Sequence, residues 1–135
     1  MNYEILDHTA DIKIRVFGRD FIDILKNSAF AITDLLFTGE IMQDKNYEFE
    51  ITGTTEDQIL IRLLNELVYI IQTEKLMLKF FDIKKTGKNL YSVNCKGTKI
   101  KHSDEMNYDI KGVTYHDLLI ENTGNKLKAE FVIDV

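Results

Sequence analysis

The chain of 135 residues contains no proline, a single cysteine and only seven glycines. Without proline, turns must rest on Gly, Asn and Asp, and no proline-rich linker divides the chain. The lone Cys95 excludes an internal disulfide framework and suits a reducing cytosol, so the expected location is cytoplasmic. It falls within a strand-like run, where it reads as a small core residue. No apolar run approaches the roughly 18–20 residues that a membrane helix needs. The opening Met1-Asn2-Tyr3-Glu4 has no basic stretch leading into an apolar one, so neither a membrane anchor nor a signal peptide is expected. The glycines form neither a dinucleotide fingerprint nor a phosphate-binding loop, and no nucleophile elbow is present. Basic charge is also scarce: 17 Lys and Arg against 22 Asp and Glu leave a net charge of −5. That argues against nucleic-acid binding through the whole surface, because neutralising phosphate needs clustered cations.

What is present reads as one α+β domain over residues 1–135. Residues 2–6 and 11–17 are strand-like. In the second run Ile12, Ile14 and Val16 alternate with Asp11, Lys13 and Arg15, the pattern of a half-buried strand. Residues 20–37 switch to helical spacing, with Asp20 as N-cap and Gly39 as the stop. Residues 46–52 alternate again. A second helix then opens at Thr55, which with Gln58 has capping-box spacing, and runs to about Glu74 with a wide apolar stripe. Strands are expected over about 77–84, 89–96, 108–115, 117–122 and 126–134, with hairpin turns at 85–89 and 122–125. The order β-β-α-β-α followed by several strands predicts an antiparallel or mixed sheet with two helices packed on one face.

Three groups of residues carry possible chemistry. Asp7, His8 and Asp11 lie in the link between the first two strands. Strand parity puts Asp11 on the polar face, and in the last strand it does the same for Asp134. If these strand ends meet, Asp7, Asp11, Asp134 and the carboxylate of Val135 offer oxygens to a hard divalent cation. The alternative is a capped turn, solvated strand-end charges and a frayed tail. The histidines at 8, 102 and 116 have no zinc-ligand spacing; His8 or His116 is a hydrogen-bonding structural residue or a proton carrier. Finally, Lys84, Lys85, Lys88, Lys96, Lys99 and Lys101 fall in a stretch without an acid. They form either a basic surface for RNA phosphate or an acidic protein, or an edge hairpin guarded by lysines.

Asp7-His8-Thr9-Ala10-Asp11 with the following Ile12–Gly18, the segment Ile110-Lys111-Gly112-Val113-Thr114-Tyr115-His116, and the ending Phe131–Val135 together strongly resemble the archease family. The resemblance spans essentially the whole chain. It implies an accessory protein rather than an enzyme: a partner of the RtcB-type RNA ligase of tRNA splicing, promoting its GTP-dependent guanylylation and multiple turnover. It also implies a divalent-cation site, expected to hold Ca²⁺ with Mg²⁺ or Mn²⁺ as alternatives, on Asp11, Asp134 and Val135. Asp7, His8, Lys111, Tyr115 and His116 would then belong to the functional surface. Gly112 stands where Ala is more usual in the family, and Asp117 where Gly is common. A second implied role is chaperone-like modulation of a tRNA cytosine methyltransferase, with tRNA involved indirectly. A free-standing metal-dependent hydrolase, with His8 or His116 as base, is a third reading.

Overall fold

The structure is a computed structural model that describes residues 3–8 and 11–135, with Asp7 and His8 described in their backbone alone. The elements in chain order are β1 (Tyr3–His8), β2 (Asp11–Gly18), α1 (Phe21–Leu36), β3 (Lys45–Thr52), α2 (Glu56–Glu74), β4 (Leu76–Gly87), β5 (Leu90–Lys99), a 3₁₀ turn (Ser103–Glu105), β6 (Gly112–Asn122) and β7 (Leu127–Asp134). The α+β class and the β-β-α-β-α order are those expected from the sequence. The strands, however, form two antiparallel sheets, one ordered β1-β2-β7-β6 and the other β3-β5-β4.

Both helices touch strands of both sheets, and this explains their wide apolar faces. A helix against a single sheet needs one stripe, whereas one between two sheets must bury two. In α2, Ile61 and Ile70 extend burial beyond the stripe of Leu60, Leu63, Leu64, Leu67 and Ile71. In α1, Thr33 Oγ1 donates to Leu78 O of β4 at 2.6 Å, a buried bond. On the other side, Asn27 Nδ2 donates to Phe17 O of β2 at 2.6 Å.

The helix starts are local chemistry. Asp20 and Thr55 accept from the backbone N–H of Asp23 and Gln58, so each satisfies an otherwise orphaned donor. Gln58 Oε1 accepts from Thr54 N rather than from Thr55 N, one residue off a regular capping box. Helix α1 ends at an extended Phe37, not at Gly39. The expected strands 108–115 and 117–122 are one strand, β6, whose pairing with β7 is interrupted between Thr114 and Leu119. Within that interruption Asp117 has φ 56°.

Gly97 marks the closest approach of β4 to β5. A Cβ there would stand 2.0 Å from Met77 O and 2.8 Å from Leu78 Cα.

Candidate functional site at one end of the four-stranded sheet

Four strand ends meet at this edge. Asp11 opens β2 and pairs directly with Asp134 near the finish of β7, and Gly112 opens β6 on the other side of Asp134. Lys111 N donates to Asp134 O at 2.8 Å, which draws Lys111 into the same row. The backbones of Asp7 and His8 pair with Lys13 and Ile12, after a register shift beyond Ile5. Their side chains lie outside the described residues, as do Thr9 and Ala10, so the structure does not place that part of the predicted site.

The two aspartates share a face because their neighbours Ile12 and Ile133 are buried in the core on the opposite one. Like charges directly opposite on paired strands destabilise the sheet by a few tenths to about 1 kcal/mol. Among the described residues neither aspartate takes part in a salt bridge. Lys13, two residues from Asp11 on the same face, is directed to Glu130, with Nζ 3.7 Å from Oε1. Arg15 Nε donates to Glu130 Oε2 at 2.7 Å. Burial pushes the Glu130 carboxyl up, but the Arg15 hydrogen bond and the charges of Arg15, Lys13 and Lys128 outweigh it and hold it below its ordinary value. The stability from that pairing is present above the ordinary carboxylate range and is lost as pH falls through the lowered value. Lys13 and Arg15 thus both face Glu130.

The donors are all oxygens, which suits a hard divalent cation. Among the described residues no group of three or more His, Cys, Asp or Glu side chains is placed to hold a metal ion. Asp11 and Asp134 are the two carboxylates that the paired strand ends bring together here, and the main chain of Val135 follows directly on Asp134. Val135 packs its partly buried side chain against the core.

Helix α2 holds the neighbouring segment. Asn65 Nδ2 donates to Val113 O at 2.8 Å, and Asn65 Oδ1 accepts from Val113 N at 2.9 Å. β6 is an edge strand, so these two bonds satisfy backbone groups that no further strand pairs. Gln72 Nε2 donates to Ile110 O at 2.8 Å. Sequence reasoning did not find either amide. The available signal was Asn65 interrupting an apolar run between Leu64 and Leu67, but an isolated Asn on a helix also reads as solvated. Gly112 is not strained here: an added Cβ would meet only Asn65 Oδ1, at 3.5 Å. Gly112→Ala is expected to leave urea unfolding unchanged or to raise stability by about 0.4–1 kcal/mol, by restricting the unfolded chain.

Beyond Thr114 the ladder bulges outward. Tyr115 is 55% exposed. His116 is exposed as well, with Nε2 3.3 Å from Asp117 Oδ2. Bulges re-aim side chains in this way. The structure brings Asp11, Asp134, Val135 and Lys111 together, while Tyr115 and His116 stand further along β6.

Three of the six lysines in the lysine-rich stretch have separate neighbours. β5 is the central strand of its sheet. Lys84 lies 3.8 Å from Asp82. Lys85, one residue on, has its Nζ 6.0 Å from the centre of the Tyr91 ring. Lys99 Nζ donates to Glu74 O at 2.8 Å.

Residues 3–135 match the model of the Archease protein family. The chain belongs to the archease family. Among curated archeases, that of Pyrococcus abyssi is 32% identical, over 98% of each chain. The archease of Methanosarcina acetivorans is 27% identical over 98% of this chain and 95% of its own. The solution structure of Methanobacterium thermoautotrophicum protein 1598 superposes with a TM-score of 0.86 at 26% identity, covering 99% of both chains. The crystal structure of the Thermotoga maritima archease, described as a possible chaperone, superposes at 0.71 with 24% identity, a likeness of fold. The archease fold therefore extends across both sheets and both helices.

Proposed function

We propose that this archease-family chain is the accessory protein of an RtcB-type RNA ligase, promoting guanylylation of the ligase and its multiple turnover. The observation that carries this reading is the direct pairing of Asp11 with Asp134 beside Lys111, in a chain that belongs to the family. Asp11, Asp134 and the backbone oxygens of Val135 are the residues that would hold a divalent cation, Ca²⁺ first among the candidates. Two carboxylates fall short of the roughly 6–8 oxygens that Ca²⁺ takes, leaving room for oxygens from a partner. When bound, the cation supplies positive charge that attracts phosphate or carboxylate oxygens. The chain's own residues orient the site. Asn65 and Gln72 fix the segment carrying Lys111, and Tyr115 and His116 present an exposed flank.

The test is guanylylation and RNA joining by a purified RtcB-type ligase, with GTP and a divalent metal, in the presence and absence of this protein. At least a tenfold rise in turnovers is expected, equivalent to about 1.4 kcal/mol of barrier. Lys111→Ala should lose most of it. Equal rates with and without the protein would overturn the reading. The chaperone-like alternative, suggested by the description of the Thermotoga maritima relative, would instead show as greater soluble yield or thermal stability of a tRNA methyltransferase.

A further inference from the structure

A cavity of about 570 Å³ lies between the last turns of α2 and the segment 100–110, and neither Asp11 nor Asp134 lines it. Its size falls within the range of small-molecule sites. Ile71 and Ile110, both buried, line it together with Ile100, Met106 and Tyr108. Lys75 and Lys101, both exposed, line it as well. Ile100 N donates to Lys75 O at 2.7 Å, which brings the backbone of Lys101 beside the turn carrying Lys75.

Two observations give these lysines meaning. Neither forms a salt bridge among the described residues. Lys75 also terminates α2 in the left-handed conformation, at φ 55° and ψ 40°, where glycine fits without penalty. A lysine there costs about 1–2 kcal/mol. Strain of this kind gathers at ligand sites.

Its polar lining includes His102, Ser103 and the carboxylate of Asp109, while the amide of Asn107 already donates to Leu35 O at 2.8 Å. A fatty acid would offer the Asp109 carboxylate no hydrogen-bond donor. A nucleobase would place its flat apolar face against Met106 and the isoleucines and turn an amino edge to Asp109. Asp109 suits an exocyclic amino group, as carboxylates do when they read cytosine.

We propose that this cavity binds an unpaired nucleotide, with its base on the apolar lining and its phosphate on Lys75 and Lys101. The nucleotide is either free or part of a single-stranded RNA. This site does not depend on the cation site or on the ligase.

The test is NMR titration of the whole ¹⁵N-labelled protein with cytidine 5′-monophosphate, with a single-stranded RNA pentanucleotide and with inorganic phosphate. Saturable shifts are expected at the amides of Ile71, Met106 and Ile110 with the first or second probe. Tighter binding of the mononucleotide identifies a free ligand, and tighter binding of the pentanucleotide an RNA. Lys75→Gly with Lys101→Glu should weaken that binding at least tenfold while the urea midpoint holds or rises, since glycine relieves the turn. The proposal is overturned if neither nucleotide probe gives saturable shifts at millimolar concentration. It is equally overturned if inorganic phosphate binds as tightly as both, or if the double variant binds unchanged.

Discussion

Asp11→Asn is expected to make the cation-free protein more stable and the Ca²⁺-loaded protein less stable than the parent. The first half follows from the pairing of Asp11 with Asp134. Neutralising one side removes a like-charge contact and returns up to about 1 kcal/mol. The second half follows from linkage: a ligand that binds only the folded state stabilises it by RT ln(1 + [L]/Kd), and losing one of two carboxylates should weaken Ca²⁺ roughly 100-fold, or about 2.8 kcal/mol. Thermal unfolding in chelator and in excess Ca²⁺ measures both. The two melting curves should exchange order between conditions. A simple destabilising substitution would lower both, and a surface charge with no cation would move neither, so the exchange is specific to a cation site. Equal Ca²⁺-induced shifts in parent and variant would exclude the assignment. Asp134→Asn should behave in the same way. Isothermal titration of the two single variants and the double should show far less than additive loss, because either substitution alone already breaks the site.

Gly97→Ala is expected to be the most damaging single-methyl addition in the protein. The new Cβ would stand 2.0 Å from a backbone oxygen of the neighbouring strand. Met77 is fully buried and fixed in the β4–β5 ladder, so its carbonyl cannot swing away as a side chain would. Relief requires β4 and β5 to part, which gives up ladder hydrogen bonds and loosens the packing of Leu78 beside it. Overpacking that side chains can absorb costs about 1–3 kcal/mol, and backbone collision belongs at or above the top of that range. For a domain stable by about 5–15 kcal/mol, a loss of about 3 kcal/mol or more is a large part of the whole. Urea unfolding checks it. A midpoint within error of the parent would show that the strands can separate more easily than their pairing implies.

Much of this architecture is legible in the sequence because it is local. The alternation of Ile12, Ile14 and Val16 with Asp11, Lys13 and Arg15 becomes β2 with its burial pattern intact. Asp20 and Thr55 cap the helices they precede because capping needs only three residues. The facing of Asp11 and Asp134 was conditional on two strand ends meeting. Parity assigned each to a polar face, and the pairing of β2 with β7 supplied the rest. What the sequence hides is relational. Whether seven strands make one sheet or two depends on which strands pair, and hydrophobic period is the same either way. Tyr115 to Asp117 interrupt a strand through bulge geometry that has no fixed composition. Asn65 matters only because β6 happens to lie at an edge beside it. The lysine stretch is left open by the sequence for a similar reason: successive residues of a strand alternate faces, so six neighbouring charges need not share a surface.

β7 lies between β2 and β6, and Arg15 reaches across 115 positions of sequence to Glu130. The middle of the larger sheet therefore cannot form while residues 127–134 are still unmade. Until then β2 and β6, against which α1 and α2 pack, each lack the neighbour that joins them. Contacts this distant in sequence slow folding, because the loop must close before any pairing rewards it. With no proline in the chain, no prolyl isomerisation adds a slower phase. The Asp11–Asp134 pair joins the second strand to the last, so it exists only once these two distant segments have met.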